Sequence, residues 1–251
     1  RHGSILASMK KWSLILSKIS MSNGTKIMND ALRMVVLDCD GTIVDSQKAI
    51  LEMMYATFDA HELERPDRMD VLRGVGLELS VGIERLLPEQ HDLEIKELYA
   101  TYKKLATDFR EGGGHHDPLY PDADTVIRAL DKAGWLLGVA TGKARVGLDH
   151  MINIHGLHDL FVTLQTSDSA AGKPSPEMLH NAMRDTGVEA DFVFMVGDTT
   201  YDMSMAVNAG TKAIGVSWGY HEADELLEAG AEVVVHSYNE LFAVLEEMTE
   251  I

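Results

Sequence analysis

The alternation of short apolar runs with helical patterns is the feature that most constrains how this chain folds. From residue 117 onward, the apolar runs lie at residues 136–140, 161–165, 192–196, 213–216 and 232–235. Helical periodicity is found between them, near residues 122–133, 145–154, 176–186, 201–209, 222–229 and 238–248. An earlier run, Met34-Val35-Val36-Leu37, has the composition of a strand buried on both faces. We therefore predict an α/β fold with a doubly wound, Rossmann-like parallel sheet.

A long segment without a strand pattern follows the first predicted strand. A crossover between parallel strands needs only about a dozen residues, whereas no convincing strand occurs between residues 39 and 135. Apolar stripes at 46–60 and 91–109 have helical spacing, which predicts an inserted helical domain. The expected division is residues 1–33 as a leader or cloning remnant, 34–45 and 117–251 as the α/β domain, and 46–116 as the helical insertion.

The composition limits the partners of this chain. Its formal net charge of -18 makes it a poor electrostatic partner for nucleic acid or an anionic membrane. No run of 18 apolar residues is present, so the sequence predicts no membrane span. Cys39 is the only cysteine, which excludes an intramolecular disulfide and favours a reducing compartment. We expect a cytoplasmic protein, monomeric or homodimeric, that binds a small molecule.

Two carboxylates follow the first predicted strand in the stretch Asp38-Cys39-Asp40-Gly41-Thr42. Side chains alternate along a strand, so Asp38 and Asp40 point to the same side. Two carboxylates about 4 Å apart repel each other by roughly 4 kcal/mol at an effective dielectric constant near 20. A divalent cation with oxygen ligands would offset this repulsion. The alternative is a strand end followed by an Asp-Gly turn with solvated aspartates.

Polar residues also follow the next three predicted strands. Thr141-Gly142 follows the second strand, Lys173 the third after a short loop, and Asp198 and Asp202 the fourth. Taken singly, Thr141 and Asp198 could cap helices, and Lys173 could be an exposed lysine. Ligands of open α/β sheets, however, bind at the carboxyl ends of the strands. The occurrence of all these residues at that edge predicts one common site.

This set of residues resembles the motifs of the haloacid dehalogenase superfamily. The stretch from Asp38 to Thr42 is similar to its first motif, Thr141 to its second, Lys173 to its third, and Gly197-Asp198 through Asp202 to its fourth. The helical insertion after the first motif resembles the cap of phosphoglycolate phosphatase-like and β-phosphoglucomutase-like members. The resemblance covers residues 34–248 and implies phosphoryl transfer.

The resemblance implies a role for each matched residue. Asp38 would be the nucleophile that forms an aspartyl-phosphate, which divides one difficult reaction into two easier ones. Asp40 would protonate the leaving group and then act as the base for water. Thr141 and the backbone N–H of Gly142 would bind a phosphoryl oxygen. Lys173 would neutralise the negative charge of the nucleophile and of the phosphoryl group.

The resemblance also implies a Mg²⁺ cofactor. Asp38, the backbone carbonyl of Asp40 and Asp198 would be its protein ligands, and waters and a phosphate oxygen would complete an octahedron. Asp202 would orient Lys173 or a metal-bound water. Because the metal and one lysine would face four carboxylates, we expect Mg²⁺ to be essential.

A glycine-containing loop of the insertion, Arg73-Gly74-Val75-Gly76-Leu77, is where related proteins place specificity residues. We expect Arg73 to contribute to substrate binding by meeting a carboxylate or a second phosphate. The alternative is an exposed arginine beside a turn. The insertion as a whole is expected to close over the site and exclude water.

The leading hypothesis is therefore a Mg²⁺-dependent phosphatase that acts on a small phosphorylated metabolite, such as phosphoglycolate or a sugar phosphate. The presence of Asp40 favours a phosphate ester, because dehalogenase members of the superfamily lack a carboxylate at that place. One alternative is a β-phosphoglucomutase-like phosphotransferase. The other, from a different functional class, is a non-catalytic binding protein on the same fold.

Overall fold

A single six-stranded sheet carries the fold of this chain. The computed structural model describes residues 32–88, 94–112 and 117–248. The strands are β1 (Met34–Leu37), β2 (Leu136–Thr141), β3 (Phe161–Thr166), β4 (Val193–Gly197), β5 (Lys212–Val216) and β6 (Val233–Val235). Their order is β3-β2-β1-β4-β5-β6, and all neighbouring pairs are parallel. The predicted α/β class and parallel sheet are confirmed.

The central strand shows why an unbroken apolar run forms here. β1 lies between β2 and β4 and is buried along its whole length. Because strand side chains alternate between the two faces, Val35 and Leu37 enter one hydrophobic cluster, whereas Met34 and Val36 enter the other. A strand in this position needs apolar residues at every place, and the sequence supplies them.

Four helices of the described residues lie in the segment predicted as an insertion. They are α1 (Gln47–Ala60), α2 (Arg68–Arg73), α3 (Leu79–Arg85) and α4 (Ile95–Glu111). Their buried apolar residues form a separate cluster, namely Met54, Phe58, Val71, Ile83, Leu87 and Leu98. The expected boundary at residue 116 lies outside the described residues.

The remaining helices cover both faces of the sheet. They are α5 (Ala123–Lys132), α6 (Arg145–Ile154), α7 (Glu177–Thr186), α8 (Thr200–Ala209), α9 (Ala223–Glu228) and α10 (Tyr238–Glu247). The buried residues of α5, α6 and α10 pack with Val35 and Leu37, and those of α7, α8 and α9 pack with Met34 and Val36. None of the helices in the described ranges is long and apolar enough to cross a membrane.

The two segments that connect the insertion to the sheet run side by side. Val44 and Leu119 form an antiparallel bridge, and the backbone N–H of Asp45 donates to the carbonyl of Pro118 at 2.9 Å. Since Val44 lies just beyond the end of β1, this pairing attaches the insertion at the carboxyl edge of the sheet.

The core also includes two residues that the sequence assigned to the leader. The Arg33 guanidinium lies 4.5 Å from the centre of the Trp135 ring, and its backbone carbonyl accepts from the N–H of Leu136 at 3.0 Å. Leu32 packs against the cluster that contains Met34. These contacts join Leu32 and Arg33 to the sheet, whereas residues 1–31 of the expected leader lie outside the described part of the chain.

Candidate active site

The topology of the sheet brings most of the predicted site residues to one edge. The chain order of the strands reverses at the β1/β4 pair, and this switch point is where open α/β sheets bind ligands. Asp38 directly follows β1, Thr141 ends β2, and Asp198 directly follows β4. The predicted polar residues of this edge are all buried, namely Asp38, Asp40, Thr141, Lys173, Asp198 and Asp202.

Lys173 joins two of these carboxylates. Its Nζ lies 2.9 Å from Asp38 Oδ1 and 2.6 Å from Asp202 Oδ1, and none of the three side chains is exposed to solvent. Burial alone lowers the pKa of Lys173, but the charges of Asp202 and Asp38 outweigh it and raise the pKa above the ordinary value of a lysine. Lys173 is therefore a fixed positive charge beneath Asp38.

Asp38 keeps one carboxylate oxygen without a protein partner. Oδ1 contacts Lys173, whereas the buried Oδ2 has no hydrogen-bond or ion-pair partner within the described ranges. Burial raises the pKa of Asp38 to about 7, Lys173 opposes that shift, and the charge of Asp202 adds to it. An unpartnered buried carboxylate oxygen is costly unless a ligand completes its environment.

Asp202 is held by the start of its own helix. Its Oδ2 accepts from the N–H of Thr199 at 3.1 Å and from the Thr199 hydroxyl at 2.6 Å, while Oδ1 contacts Lys173. Both oxygens are thus engaged within the protein. This arrangement fits a residue that orients Lys173, which is one of the two roles that the resemblance implies for it.

Asp198 is held by two groups from other parts of the chain. Its Oδ1 accepts from the hydroxyl of Thr42 at 2.9 Å, and its Oδ2 accepts from the N–H of Tyr220 at 3.0 Å. Burial raises the pKa of Asp198 well above its usual range, and the charges of Asp202 and Asp38 add to the effect. The backbone of Gly41, with φ at +83°, approaches so closely that a Cβ there would lie 2.2 Å from Asp198 Oδ2.

Sequence reasoning gave Thr42 and Tyr220 no role in the site. Thr42 belongs to the motif that begins at Asp38, so its place beside a strand end was a usable signal. Tyr220 follows β5 by a few residues, and only its backbone N–H reaches Asp198, so its side-chain type carried no signal.

The carboxylates fit a hard divalent cation. One ligand oxygen from each of Asp38, Asp198 and Asp202 lies within 4.8 Å of the others. Three buried carboxylates face a single buried lysine, and Asp38 Oδ2 lacks a partner among the described residues. Mg²⁺ and Ca²⁺ prefer oxygen ligands of this kind. Asp202 already carries the Lys173 ammonium on one oxygen and two Thr199 donors on the other. Each oxygen of Asp198 accepts only one neutral hydrogen bond and Asp38 Oδ2 accepts none among the described residues, so Asp38 and Asp198 are the better placed side-chain ligands.

Asp40 is paired with a lysine that sequence reasoning missed. The Nζ of Lys143 lies 2.9 Å from Asp40 Oδ1, and both side chains are largely buried. Burial lowers the pKa of Lys143, but the charge and hydrogen bond of Asp40 together with the charges of Cys39 and Asp117 outweigh it and raise the pKa above the ordinary lysine value. Lys143 directly follows Thr141-Gly142 in the same loop, and that position at the sheet edge could have indicated its role.

Thr141 and Gly142 lie where the sheet edge meets the insertion. The hydroxyl oxygen of Thr141 accepts from the backbone N–H of Lys143 at 3.2 Å. A Cβ on Gly142 would lie 2.6 Å from the carbonyl oxygen of Leu77 and 2.8 Å from that of Gly76, both in the α2–α3 loop. Only glycine permits so close an approach of the two backbones.

A cavity of about 290 Å³ separates the sheet edge from the insertion. From the sheet side it is lined by Asp38, Asp40, Thr141, Gly142 and Lys143. The insertion side is lined by residues of α1, α4 and the α2–α3 loop. The predicted nucleophile, the predicted acid and the predicted phosphate-binding residues therefore open into one space.

Arg73, expected to bind substrate, is directed elsewhere. Its guanidinium contacts the Glu225 carboxylate of α9 at 3.0 Å, and its side chain is half exposed. Its backbone carbonyl accepts from the hydroxyl of Tyr201 at 3.1 Å. Arg73 does not line the cavity. The structure thus corrects this expectation, because a carboxylate of the α/β domain already holds the guanidinium that was assigned to the substrate.

The chain matches known proteins along most of its length. The haloacid dehalogenase-like hydrolase family matches residues 35–216. The protein named Probable phosphatase IndB, from Dickeya dadantii (strain 3937), is 31% identical over 211 residues, which cover 83% of this chain and 91% of that protein. Pyrophosphatase PpaX from Halalkalibacterium halodurans is 27% identical over 215 residues, which cover 84% of this chain and 95% of the pyrophosphatase.

Solved structures share the fold at lower identity. A haloacid dehalogenase-like family hydrolase from Streptococcus pneumoniae has a TM-score of 0.74 at 22% identity, and the match covers 85% of this chain and 98% of that one. A predicted phosphoglycolate phosphatase from Haemophilus somnus has a TM-score of 0.76 at 19% identity, with 85% and 97% covered. The family match and the 31% identical relative show that this chain belongs to the haloacid dehalogenase-like hydrolases.

Proposed function

We propose that this chain is a Mg²⁺-dependent phosphatase that hydrolyses a small phosphorylated metabolite through an aspartyl-phosphate on Asp38. The observation that carries the proposal is the buried Asp38 carboxylate, with Oδ1 on Lys173 and Oδ2 without a protein partner in the described ranges, at the wall of the cavity. The names of two relatives, a phosphatase and a pyrophosphatase, support the same chemistry. A cytoplasmic location stays a prediction.

The first half of the reaction uses Asp38 and Asp40. A carboxylate oxygen of Asp38 attacks phosphorus, and the bond from phosphorus to the leaving oxygen breaks. Asp40 gives a proton to that oxygen, a contribution of about 10²–10⁴ in rate for a positioned acid. Lys143 holds Oδ1 of Asp40, which leaves Oδ2 to carry the proton.

The second half reverses the proton transfer. Asp40 takes a proton from water as the water oxygen attacks phosphorus, and the bond from phosphorus to Asp38 breaks, releasing inorganic phosphate. The Thr141 hydroxyl, which accepts from the N–H of Lys143, keeps its own hydrogen to donate to a phosphoryl oxygen. Such preorganised donors and charges are the main source of catalysis in phosphoryl transfer.

Asp38, the backbone carbonyl of Asp40 and Asp198 would hold Mg²⁺. When bound, the metal would supply the positive charge that Lys173 alone cannot, against the buried carboxylates and the incoming phosphate. Thr42 and the N–H of Tyr220 fix the Asp198 carboxylate for this purpose. A precise ligand orientation of this kind is typical of metal sites whose supporting hydrogen bonds come from the protein.

The test is phosphate release from a panel of phosphorylated metabolites, including phosphoglycolate, pyrophosphate and sugar phosphates, in Mg²⁺ and in EDTA. We expect release that requires the metal and disappears in Asp38→Asn. Asp45→Asn is the matched control, because Asp45 is an exposed aspartate near the same strand end. Release that survives in Asp38→Asn would contradict the nucleophile. An isomer formed without free phosphate would instead identify a phosphomutase.

A further inference from the structure

The cations of the insertion fall into three groups in the described residues: those paired with a carboxylate, those bonded to neutral groups away from the cavity (Arg68 to Gln47 and Arg85 to the Tyr201 hydroxyl), and those on the cavity wall. Lys48, Arg65, Arg73, Lys96 and Lys104 each form an ion pair with a carboxylate. Lys103 and Arg110 line the cavity, and neither lies within ion-pair distance of a carboxylate in the described part of the chain. Lys103 is exposed, so its lack of a carboxylate partner is ordinary, whereas Arg110 is half-buried on the cavity wall of a chain with a net charge of -18.

Both cations belong to one face of α4. The residues of α4 that line the cavity include Tyr99, Tyr102, Lys103, Thr107 and Arg110, which are spaced as one helical face. The Nη2 of Arg110 donates to the hydroxyl of Thr107 at 3.0 Å, and the Nζ of Lys103 lies 5.2 Å from the centre of the Tyr99 ring. These contacts orient the cations and leave their charges uncompensated.

Tyr102 adds a hydrogen-bond donor to the same face. Its hydroxyl makes no hydrogen bond with the described residues, although the side chain lines the cavity. Burial raises the pKa of Tyr102 to about 12, and the charges of Lys143, Asp40, Asp117 and Arg110 all act on the phenol. The phenol therefore keeps its proton at neutral pH, on the same cavity wall as Arg110.

The acidic side chains of the cavity do not neutralise this face. Asp40 is paired with Lys143, Asp168 accepts from the backbone N–H of Arg145, and Glu78 accepts from the hydroxyl of Ser80. Asp117 also has a partner of its own. A ligand that carries negative charge away from its phosphoryl group would therefore meet cations that no protein carboxylate occupies.

We infer that the leaving group of the substrate carries a second anionic group, a carboxylate or a second phosphate, which Arg110 binds with the help of Tyr102 and Lys103. This inference rests on the proposed phosphatase function and narrows its substrate class. The second anion would thus be bound by α4 and not by Arg73, whose guanidinium is paired with Glu225. Neutral sugar phosphates become poor substrates, because they would leave the half-buried Arg110 guanidinium without an anionic partner.

The inference is tested with inert probes that do not depend on turnover. Binding of ω-phosphonocarboxylates with two to four methylene groups is measured by calorimetry in Mg²⁺ and compared with that of alkylphosphonates of the same length. We expect the carboxylate to tighten binding about tenfold to a hundredfold, as a charge-assisted hydrogen bond would. Alkane bisphosphonates of the same lengths show whether the second anion is better matched by phosphate than by carboxylate.

Variants on α4 locate the effect. Arg110→Gln keeps a good helix former at a partly exposed position and is expected to abolish most of the preference for the anionic probe. Its affinity for the alkylphosphonate should stay within about threefold of wild type. Lys103→Gln should reduce the preference less. Lys104→Gln is the matched control, because Lys104 is paired with Asp108 and does not line the cavity.

Two results would overturn the inference. One is equal affinity of the wild type for the anionic and the neutral probe at every length. The other is a preference that persists in the Arg110→Gln, Lys103→Gln double variant. Failure of the phosphatase proposal is read separately: a chain that prefers the anionic probe but releases no phosphate from any ester keeps the subsite and loses the proposed reaction.

Discussion

At the scale of single residues, the pairing of Asp40 with Lys143 makes the sharpest prediction. Removing the ammonium in Lys143→Met leaves Asp40 without the contact that holds Oδ1. We expect kcat for an alkyl phosphate to fall about tenfold to a hundredfold, part of what a positioned acid contributes. The loss should be smaller for p-nitrophenyl phosphate, whose leaving group needs little protonation.

Steady-state kinetics on both esters check this positioning role. Lys132→Met, which removes a lysine from the last turn of α5, serves as the control and should leave both rates unchanged. Equal losses on the two esters, or a change in KM alone, would show that Lys143 binds substrate charge rather than supporting Asp40.

The metal makes a second prediction at this scale. A ligand that binds only the folded state at a hundred times its Kd stabilises that state by about 2.7 kcal/mol. We expect Mg²⁺ to raise the Tm of the wild type and to raise that of Asp198→Asn much less, because Asp198 is fixed by Thr42 and Tyr220 to serve as a ligand. Asp149→Asn, an exposed control, should respond as the wild type does. Thermal unfolding with Mg²⁺ and with EDTA measures the difference, and equal shifts in all three proteins would remove Asp198 from the metal site.

At the scale of elements, the sequence predicted best what depends on local pattern. The strands of the sheet are found within about one residue of their apolar runs, because a parallel strand that is buried on both faces tolerates few polar residues. α6 has the bounds that its periodicity indicated. α2 and α3, with six and seven residues, were missed, since a segment of fewer than two helical turns shows too little periodicity to be recognised.

The contacts that sequence reasoning did not find are those made between distant segments. Nothing local to Arg73 reveals that Glu225 lies beside it, because the pair depends on how the α2–α3 region sits against α9. The partner of Asp40, Lys143, is similarly 103 positions away in the sequence. A lysine after a strand end can pair with many different groups, so its position alone does not identify Asp40 as the partner. By contrast, Asp38 and Asp198 could be placed together, because parallel topology alone brings both strand ends to one edge.

The ion pair between Arg73 and Glu225 joins the insertion to α9, and we expect it to stabilise this contact only modestly. Both side chains are partly exposed, so the pair is worth about 0.2–1 kcal/mol at most. We expect Arg73→Met and Glu225→Gln each to raise KM by no more than about fivefold. In the double variant the effect should match that of either single variant, because both remove the same interaction.

Arg65→Met is the matched control for this cycle, since Arg65 pairs with Asp59 inside the insertion. A loss of a hundredfold or more in kcat/KM for Arg73→Met alone, without a comparable loss in Glu225→Gln, would restore Arg73 to the substrate.

At the scale of the whole molecule, charge is distributed in two opposing ways. The chain carries a net charge of -18, which repels an anionic substrate at long range. The cavity instead collects Lys143, Lys103 and Arg110 on its walls, with Lys173 beneath Asp38. Salt screens charges beyond about 8–10 Å at moderate ionic strength, whereas contacts inside the cavity are screened much less. The proposed substrate recognition therefore depends most on the cations shielded from solvent, Lys143, Lys173 and Arg110, and it requires the insertion and the sheet to meet closely.

The close contact between the insertion and the sheet edge depends on the absence of a side chain at Gly142. Because a Cβ at this position would overlap the carbonyl oxygens of Leu77 and Gly76, Gly142→Ala must push the α2–α3 loop away from the sheet edge. We expect kcat to fall at least about tenfold, since displacements near 1 Å can cost a hundredfold in rate. Tm should change little, because the clash lies between two loops and leaves the hydrophobic clusters intact.

Gly82→Ala is the control for Gly142→Ala, since its Cβ would lie 3.7 Å from the nearest carbonyl oxygen. Small-angle scattering with a bound phosphonate should show a larger radius of gyration for Gly142→Ala than for the wild type. An unchanged radius together with an unchanged kcat would mean that the reaction does not need the close contact between Gly142 and the α2–α3 loop.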